Sequence, residues 1–116
     1  ALPGLTRAAK LQSKAAKAGF DWKDISPAMD KLSEELEEFR RAVEEDSNAE
    51  EELGDLLFAA VKVGRFAGVD GETALQKACE KFIRRFRRVE ALADGPLDAL
   101  DVPALEELWR RAKRET

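Results

Sequence analysis

Met29, Leu32, Leu36, Phe39 and Val43 recur in alternating steps of three and four, and no other feature limits the fold as much. Apolar residues so spaced share one side of an α-helix and form a coiled-coil-like seam that needs a second helix to cover it. The rest of the chain agrees. Ala, Leu, Glu, Lys and Arg dominate, Tyr is absent and β-branched residues are few, a mixture that favours helix over strand.

Five helices are expected. Leu5–Ala18 is the first, stopped by Gly19. Ser26 as cap and Pro27 as first helical residue open a second that runs to about Glu45; between them "GFDWKDISP" is a connector carrying two aromatics. After a turn at Asp46–Asn48, a third helix spans about Ala49 to Ala67, with Leu53, Leu56, Leu57, Ala60, Val61 and Gly64 on a broad apolar face and Gly68 as its stop. Asp70–Glu72 starts a fourth, striped by Leu75, Cys79, Phe82, Phe86 and Val89, in which Cys79 reads as a small buried apolar residue. A loop, "ADGPLDALDVP", leads to a fifth at Pro103–Lys113. No strand, low-complexity tract or repeat is visible. The fold class is therefore all-α, a bundle whose short connections make neighbouring helices antiparallel, and 116 residues fit a single domain, 1–116.

Composition excludes several functions. The single cysteine rules out an intramolecular disulfide or a site of several thiolates, and the absence of His removes imidazole catalysis and ligation. The net charge of −4 does not indicate a nucleic-acid binder. No apolar run spans a membrane and no signal-peptide pattern opens the chain, so the cytoplasm is the expected location. The first residues, "ALPGL", lack an initiator Met, which points to a processed chain or a piece of a longer one. Charge is nevertheless segregated: the first helix and the stretch Lys77–Arg88 are basic, and the middle is acidic.

The acids are not scattered. Projected onto their helices at ~100° per residue, Glu35 and Glu38 lie a turn apart on one flank of the apolar seam, whereas Glu34 and Glu37 point outward. Glu52 and Asp55 form a similar i, i+3 pair on the next helix, beside Gly54, a residue costly in mid-helix and expected to admit a close helix neighbour. No lysine is expected to partner these pairs at i+4 spacing. Carboxylates at close range repel unless a cation neutralises them, and a hard divalent ion with oxygen ligands is the natural one. Single features of this kind are ordinary: acidic flanks are mostly solvated, Lys81 and Arg85 alone read as surface cations, and Trp109 alone reads as core or interface. The doubled E-x-x-E/D pattern is what separates this chain from that reading.

"EELEE…EEELGDLLFA", an E-E-x-x-E (Glu34, Glu35, Glu38) followed by E-x-x-D (Glu52, Asp55), resembles the signature of the MazG nucleoside triphosphate pyrophosphohydrolases. "KLQSKAAKAGFDW" looks like the opening of the second, C-terminal domain of two-domain members, and "ALQKACEKFIRRFRRVE" and "LEELWRRAK" look like its later helices. The resemblance implies an all-α homodimer that cleaves nucleoside triphosphates between the α- and β-phosphates with Mg²⁺, giving the monophosphate and pyrophosphate. It implies metal binding by Glu35, Glu38, Glu52 and Asp55, supported by Glu34 and Glu51. It further implies phosphate contacts from Lys81, Arg85 and Lys113, and base stacking on Trp109. The chain departs from the family pattern in having Cys79 for an Asn, Asn48 where relatives can carry a Lys, and a shorter turn between the acidic pairs.

The residues suit that chemistry on their own terms. Metal neutralises phosphate charge and lowers the pKa of attacking water; Mn²⁺ serves in place of Mg²⁺, and either Glu35 or Glu38 activates the water. Homodimerisation is expected also because the apolar faces exceed what five short helices cover alone. Two rivals remain at this level: a non-catalytic helical dimer that binds metal or nucleotide, and a pyrophosphatase restricted to dUTP or dCTP. Neither a nucleic-acid nor a membrane partner is expected.

Overall fold

A computed structural model describes residues 2–116. Its helices are α1 (Gly4–Lys17), α2 (Ile25–Glu44), α3 (Ala49–Phe66), α4 (Gly71–Leu92) and α5 (Val102–Glu115), with a 3₁₀ turn at Leu97–Ala99. No strand occurs among the described residues, so the all-α expectation holds. The chain divides within α4 into two compact units, one ending at Ala74 and the other running over Leu75–Thr116.

Helix ends follow local chemistry. Gly19 and Gly68 take φ of 97° and 75°, left-handed conformations in which a Cβ is strained, and each lies just past its helix. At α2 the cap is Asp24 rather than the expected Ser26: the Asp24 carboxylate accepts the Ser26 N–H at 3.0 Å. An aspartate in extended backbone two residues earlier competes better for those free N–H groups. Asp70 accepts the Thr73 N–H and hydroxyl at the head of α4, and Asp101 accepts the Ala104 N–H at the head of α5.

In the first unit α3 is central, packing chiefly on α2 and also on α1. Gln12, 3% exposed, joins α1 to α3 by donating Nε2–H to the Phe58 carbonyl at 2.9 Å. The buried line of α2 is Ala28, Glu35 and Ala42, seven residues apart and so nearly in register along the helix. That line is displaced by one residue, about 100°, from Met29, Leu36 and Val43, which are 50–56% exposed. The seam is thus only partly covered within the chain: Leu32 and Phe39 are half-buried, while Met29, Leu36 and Val43 stay open. Small Ala28 and Ala42 let α2 approach α3 closely, and the approach turns Glu35 inward and the large apolar residues out. Leu53, Leu57 and Phe58 of α3 are also 42–48% exposed. Gly54 faces open space rather than a close helix neighbour.

In the second unit, α4 and α5 meet through the Phe82 and Trp109 rings, 5.6 Å apart, and through an Arg88–Glu115 ion pair at 2.9 Å. Val89 and Ala112 are buried. Cys79 is exposed, against the expectation of burial, as are Leu75, Phe82 and Phe86 on the same stripe; only its far end, at Val89, is enclosed.

Candidate functional site

The buried line of α2 puts Glu35 against the first half of α3, where Glu52 and Asp55 stand three residues apart and share a helix side. One carboxylate oxygen from each of the three lies within 4.8 Å of the others. Glu35 is 6% exposed, Glu52 is half-buried and Asp55 is open to solvent. The site therefore has a closed floor and an accessible rim.

Its electrostatics are those of an incomplete ligand set. Glu35 Oε2 and Glu52 Oε2 are both shielded from solvent and neither has a hydrogen-bond partner among the described residues, a costly state for a carboxylate oxygen. The Glu52 carboxyl is pushed above its usual range by desolvation, then by the charges of Glu38, Asp55, Glu35 and Glu51. The donor set is all oxygen and all anionic, which fits a hard divalent cation. Within the chain, the neutralising charge comes from Lys31, whose Nζ lies 2.9 Å from Glu35 Oε1 and 3.5 Å from Glu34 Oε1. The hydrogen bond to Glu35 outweighs desolvation and raises the Lys31 pKa. This corrects the expectation that the acids lack a lysine at i+4 spacing: Lys31 precedes Glu35 by four residues, and was legible by counting backward as well as forward.

The other expected site residues are placed as follows. Glu38 is half-buried and outside the converging three, though its charge reaches Glu52. Glu34 and Glu51 are exposed. In the second unit, Lys81 and Lys113 are exposed with no ion pair among the described residues, and half-buried Arg85 holds its guanidinium 6.0 Å from the Trp109 ring centroid. Trp109 is itself half-buried against Phe82. Arg85 Nε is shielded and without a partner.

One arrangement near the acids was not anticipated. Asp21, in the connector before α2, accepts hydrogen bonds from Arg65 Nη2 on both oxygens, at 2.9 and 3.0 Å, and from the Trp22 backbone N–H at 3.0 Å. Desolvation opposes ionisation of Asp21, but those bonds and the charges of Arg65 and Lys62 prevail and lower its pKa. The connector is thereby tied to α3, and Lys62 Nζ sits 4.6 Å from the Trp22 ring centroid. Asp21 and Arg65 are 44 residues apart, and no local pattern announces a pair at that separation.

Residues 23–89 match the MazG nucleotide pyrophosphohydrolase domain. Over 121 residues the chain is 45% identical to the nucleoside triphosphate pyrophosphohydrolase of Escherichia coli (strain K12), covering 98% of this chain and 46% of that protein. It is 42% identical over 115 residues to the nucleoside triphosphate pyrophosphohydrolase/pyrophosphatase MazG of Thermotoga maritima, covering 97% and 45%. A 69-residue stretch is 44% identical to the uncharacterized protein YabN of Bacillus subtilis. The chain thus spans a little under half the length of the E. coli and T. maritima relatives.

Proposed function

Since the chain belongs to the MazG nucleotide pyrophosphohydrolase family, we propose that it hydrolyses nucleoside triphosphates to the monophosphate and pyrophosphate, with Mg²⁺ as its metal and Mn²⁺ able to substitute. The observation that carries this reading is the convergence of Glu35, Glu52 and Asp55 oxygens within 4.8 Å, two of these residues having shielded, unpartnered oxygens. Those three residues would hold the metal, with Glu38 as a fourth acid beside them. Bound there, the ion would neutralise phosphate charge and acidify the attacking water.

The chain's own groups do the rest. Glu38 is the base: it lies outside the converging three and has no ion pair among the described residues, which leaves its carboxylate available for a proton. Water oxygen bonds to the attacked phosphorus, the α–β bridging P–O bond breaks, the water proton passes to Glu38, and pyrophosphate leaves. Glu34 and Glu51 add negative charge around the ligands. Lys81, Arg85 and Lys113 stabilise charge on the phosphoryl oxygens, and Trp109 supplies a stacking surface for the base. The active form is a homodimer, because Met29, Leu36, Val43, Leu53 and Leu57 each leave about half of their apolar surface exposed, so covering each would add roughly half of the ~1.5–3 kcal/mol that full burial of a large side chain is worth.

The test is product identification with a panel of ribo- and deoxynucleoside triphosphates, with and without EDTA. Equal monophosphate and pyrophosphate, abolished by the chelator, is the expected result. Diphosphate and orthophosphate as primary products would refute the bond position, and chelator-insensitive turnover the metal.

A further inference from the structure

A pocket of about 320 Å³ opens beside the acidic cluster, and two of the acids, Glu35 and Asp55, form part of its wall. The rest of the wall is of a different character. Trp22 and Phe58, 39% and 42% exposed, supply aromatic surface, and Lys31 and Lys62 supply cations. The volume is at the lower end of the ~300–1,000 Å³ range of small-ligand pockets, which are mostly apolar with a few placed polar groups.

An indole on an interhelix connector is ordinarily free to fold down or swing away. Here the connector that carries it is tied down: the Trp22 backbone N–H donates to Asp21, Asp21 is held on both oxygens by Arg65 of α3, and Lys62 lies over the ring. On the opposite side of the sequence, Gln12 fastens α1 to the carbonyl of Phe58. The backbone positions that carry two aromatic side chains are thus held beside the acids, and both rings remain substantially open to solvent. Neither is needed to fill the interior, since the buried residues of the first unit are Gln12, Ala28, Glu35, Ala42, Ala59 and Val61.

We propose that this pocket receives the nucleoside end of the triphosphate, with Trp22 as a stacking surface for the base and Phe58 as its apolar neighbour. This rests on the triphosphate reading of the acidic site and departs from it at one point: it moves the base from Trp109 to Trp22, which lies on the same unit as the acids. The cleaved α–β bond lies next to the nucleoside, so a molecule with its α-phosphate at Glu35 and Asp55 has its sugar and base within reach of the pocket. The two lysines are already paired, Lys31 with Glu35 and Lys62 with Asp21 at 3.9 Å. The free surface of the pocket is therefore largely aromatic, which suits a base better than a phosphate chain.

The test compares two probes by calorimetry on the whole chain in Mg²⁺: the α,β-methylene analogue of ATP, which resists cleavage at the reacting bond, and inorganic tripolyphosphate, which has no nucleoside. Trp22→Ala is expected to weaken the analogue at least ~10-fold, as loss of an aromatic stacking partner does, and to leave tripolyphosphate within about threefold; Trp22→Phe should recover most of the loss. An unchanged analogue affinity, or an equal loss for both probes, overturns the proposal. Should Trp22→Ala not fold, Trp109→Phe leaves Trp22 as the only tryptophan, and its emission should change with the analogue but not with tripolyphosphate. No change with either overturns the proposal. Wild-type protein that binds tripolyphosphate but not the analogue overturns the pocket alone, whereas binding neither overturns the triphosphate reading and the pocket with it.

Discussion

Glu35 carries opposed demands. It is nearly enclosed between α2 and α3, one oxygen has no partner, and the other is held at 2.9 Å by Lys31. Removing Lys31 leaves a buried carboxylate without a counter-charge, so Lys31→Met should lower the stability of the metal-free protein by roughly 1 kcal/mol. Mg²⁺ should restore more thermal stability to the variant than to the parent, because a cation then replaces a missing one; equal Mg²⁺ shifts in thermal melts would contradict this. Glu52 gives a pH dependence. Its folded-state pKa lies above the ordinary 4.5, so the folded state binds the extra proton. That contribution is fully present below pH 4.5 and is lost as pH rises through the raised value. Metal-free protein should therefore lose stability on that rise, Glu52→Gln should flatten the loss, and Mg²⁺ should reverse it at neutral pH. Asp21 has the opposite sign: its lowered pKa stabilises above about 3.8, and the gain fades as pH falls through the depressed value. At this scale the i, i+3 spacing made the acids legible in the sequence, because spacing on one helix fixes direction. The Asp21–Arg65 tie and the Trp22 pocket were not legible, because they join residues far apart in the chain.

The helices themselves were readable because each carries its own apolar period and its own stop. Their ends were less so, and for a reason that can be measured. Asp24 and Ser26 are both good caps, and the choice between them depends on which backbone turns extended; in the structure it is Asp24. Asp24→Ala should cost about 1 kcal/mol in chemical denaturation, whereas Ser26→Ala, now in the first turn of α2, should cost no more than a few tenths. The reverse order would restore the cap to Ser26. The seam shows a different limit. Its period correctly announces a helix, but periodicity does not say which neighbour covers which side. Ala28 and Ala42 decide that α2 meets α3 along the line of Glu35, leaving Met29, Leu36 and Val43 exposed.

The whole chain exposes apolar residues from every helix, among them Leu11, Met29, Leu57, Phe82 and Val102 at 48–65%. Surface of that kind commonly marks a contact with another protein, and a second copy of this chain is the partner the proposed function requires. Sedimentation at micromolar concentration should give a dimer, and a fully active monomer would contradict it. Among the described residues, no helix is long and apolar enough to cross a membrane. The all-helical fold and the acidic cluster were both within reach of the sequence, since each rests on spacing within single helices. What the exposed faces cover was not, since that depends on surfaces outside one chain. The central claim is that the acids of α2 act through their position and not through bulk charge. Glu35 and Glu38 lie toward α3 with reduced exposure, while Glu37 is exposed and paired with Arg40 at 3.3 Å. Turnover of a nucleoside triphosphate in Mg²⁺ by Glu35→Gln, Glu38→Gln and Glu37→Gln tests this most directly. The account predicts a fall of at least ~100-fold for each of the first two, on the order of 3 kcal/mol of transition-state stabilisation, with Glu37→Gln within about threefold of the parent; equal activity in all three variants would contradict it.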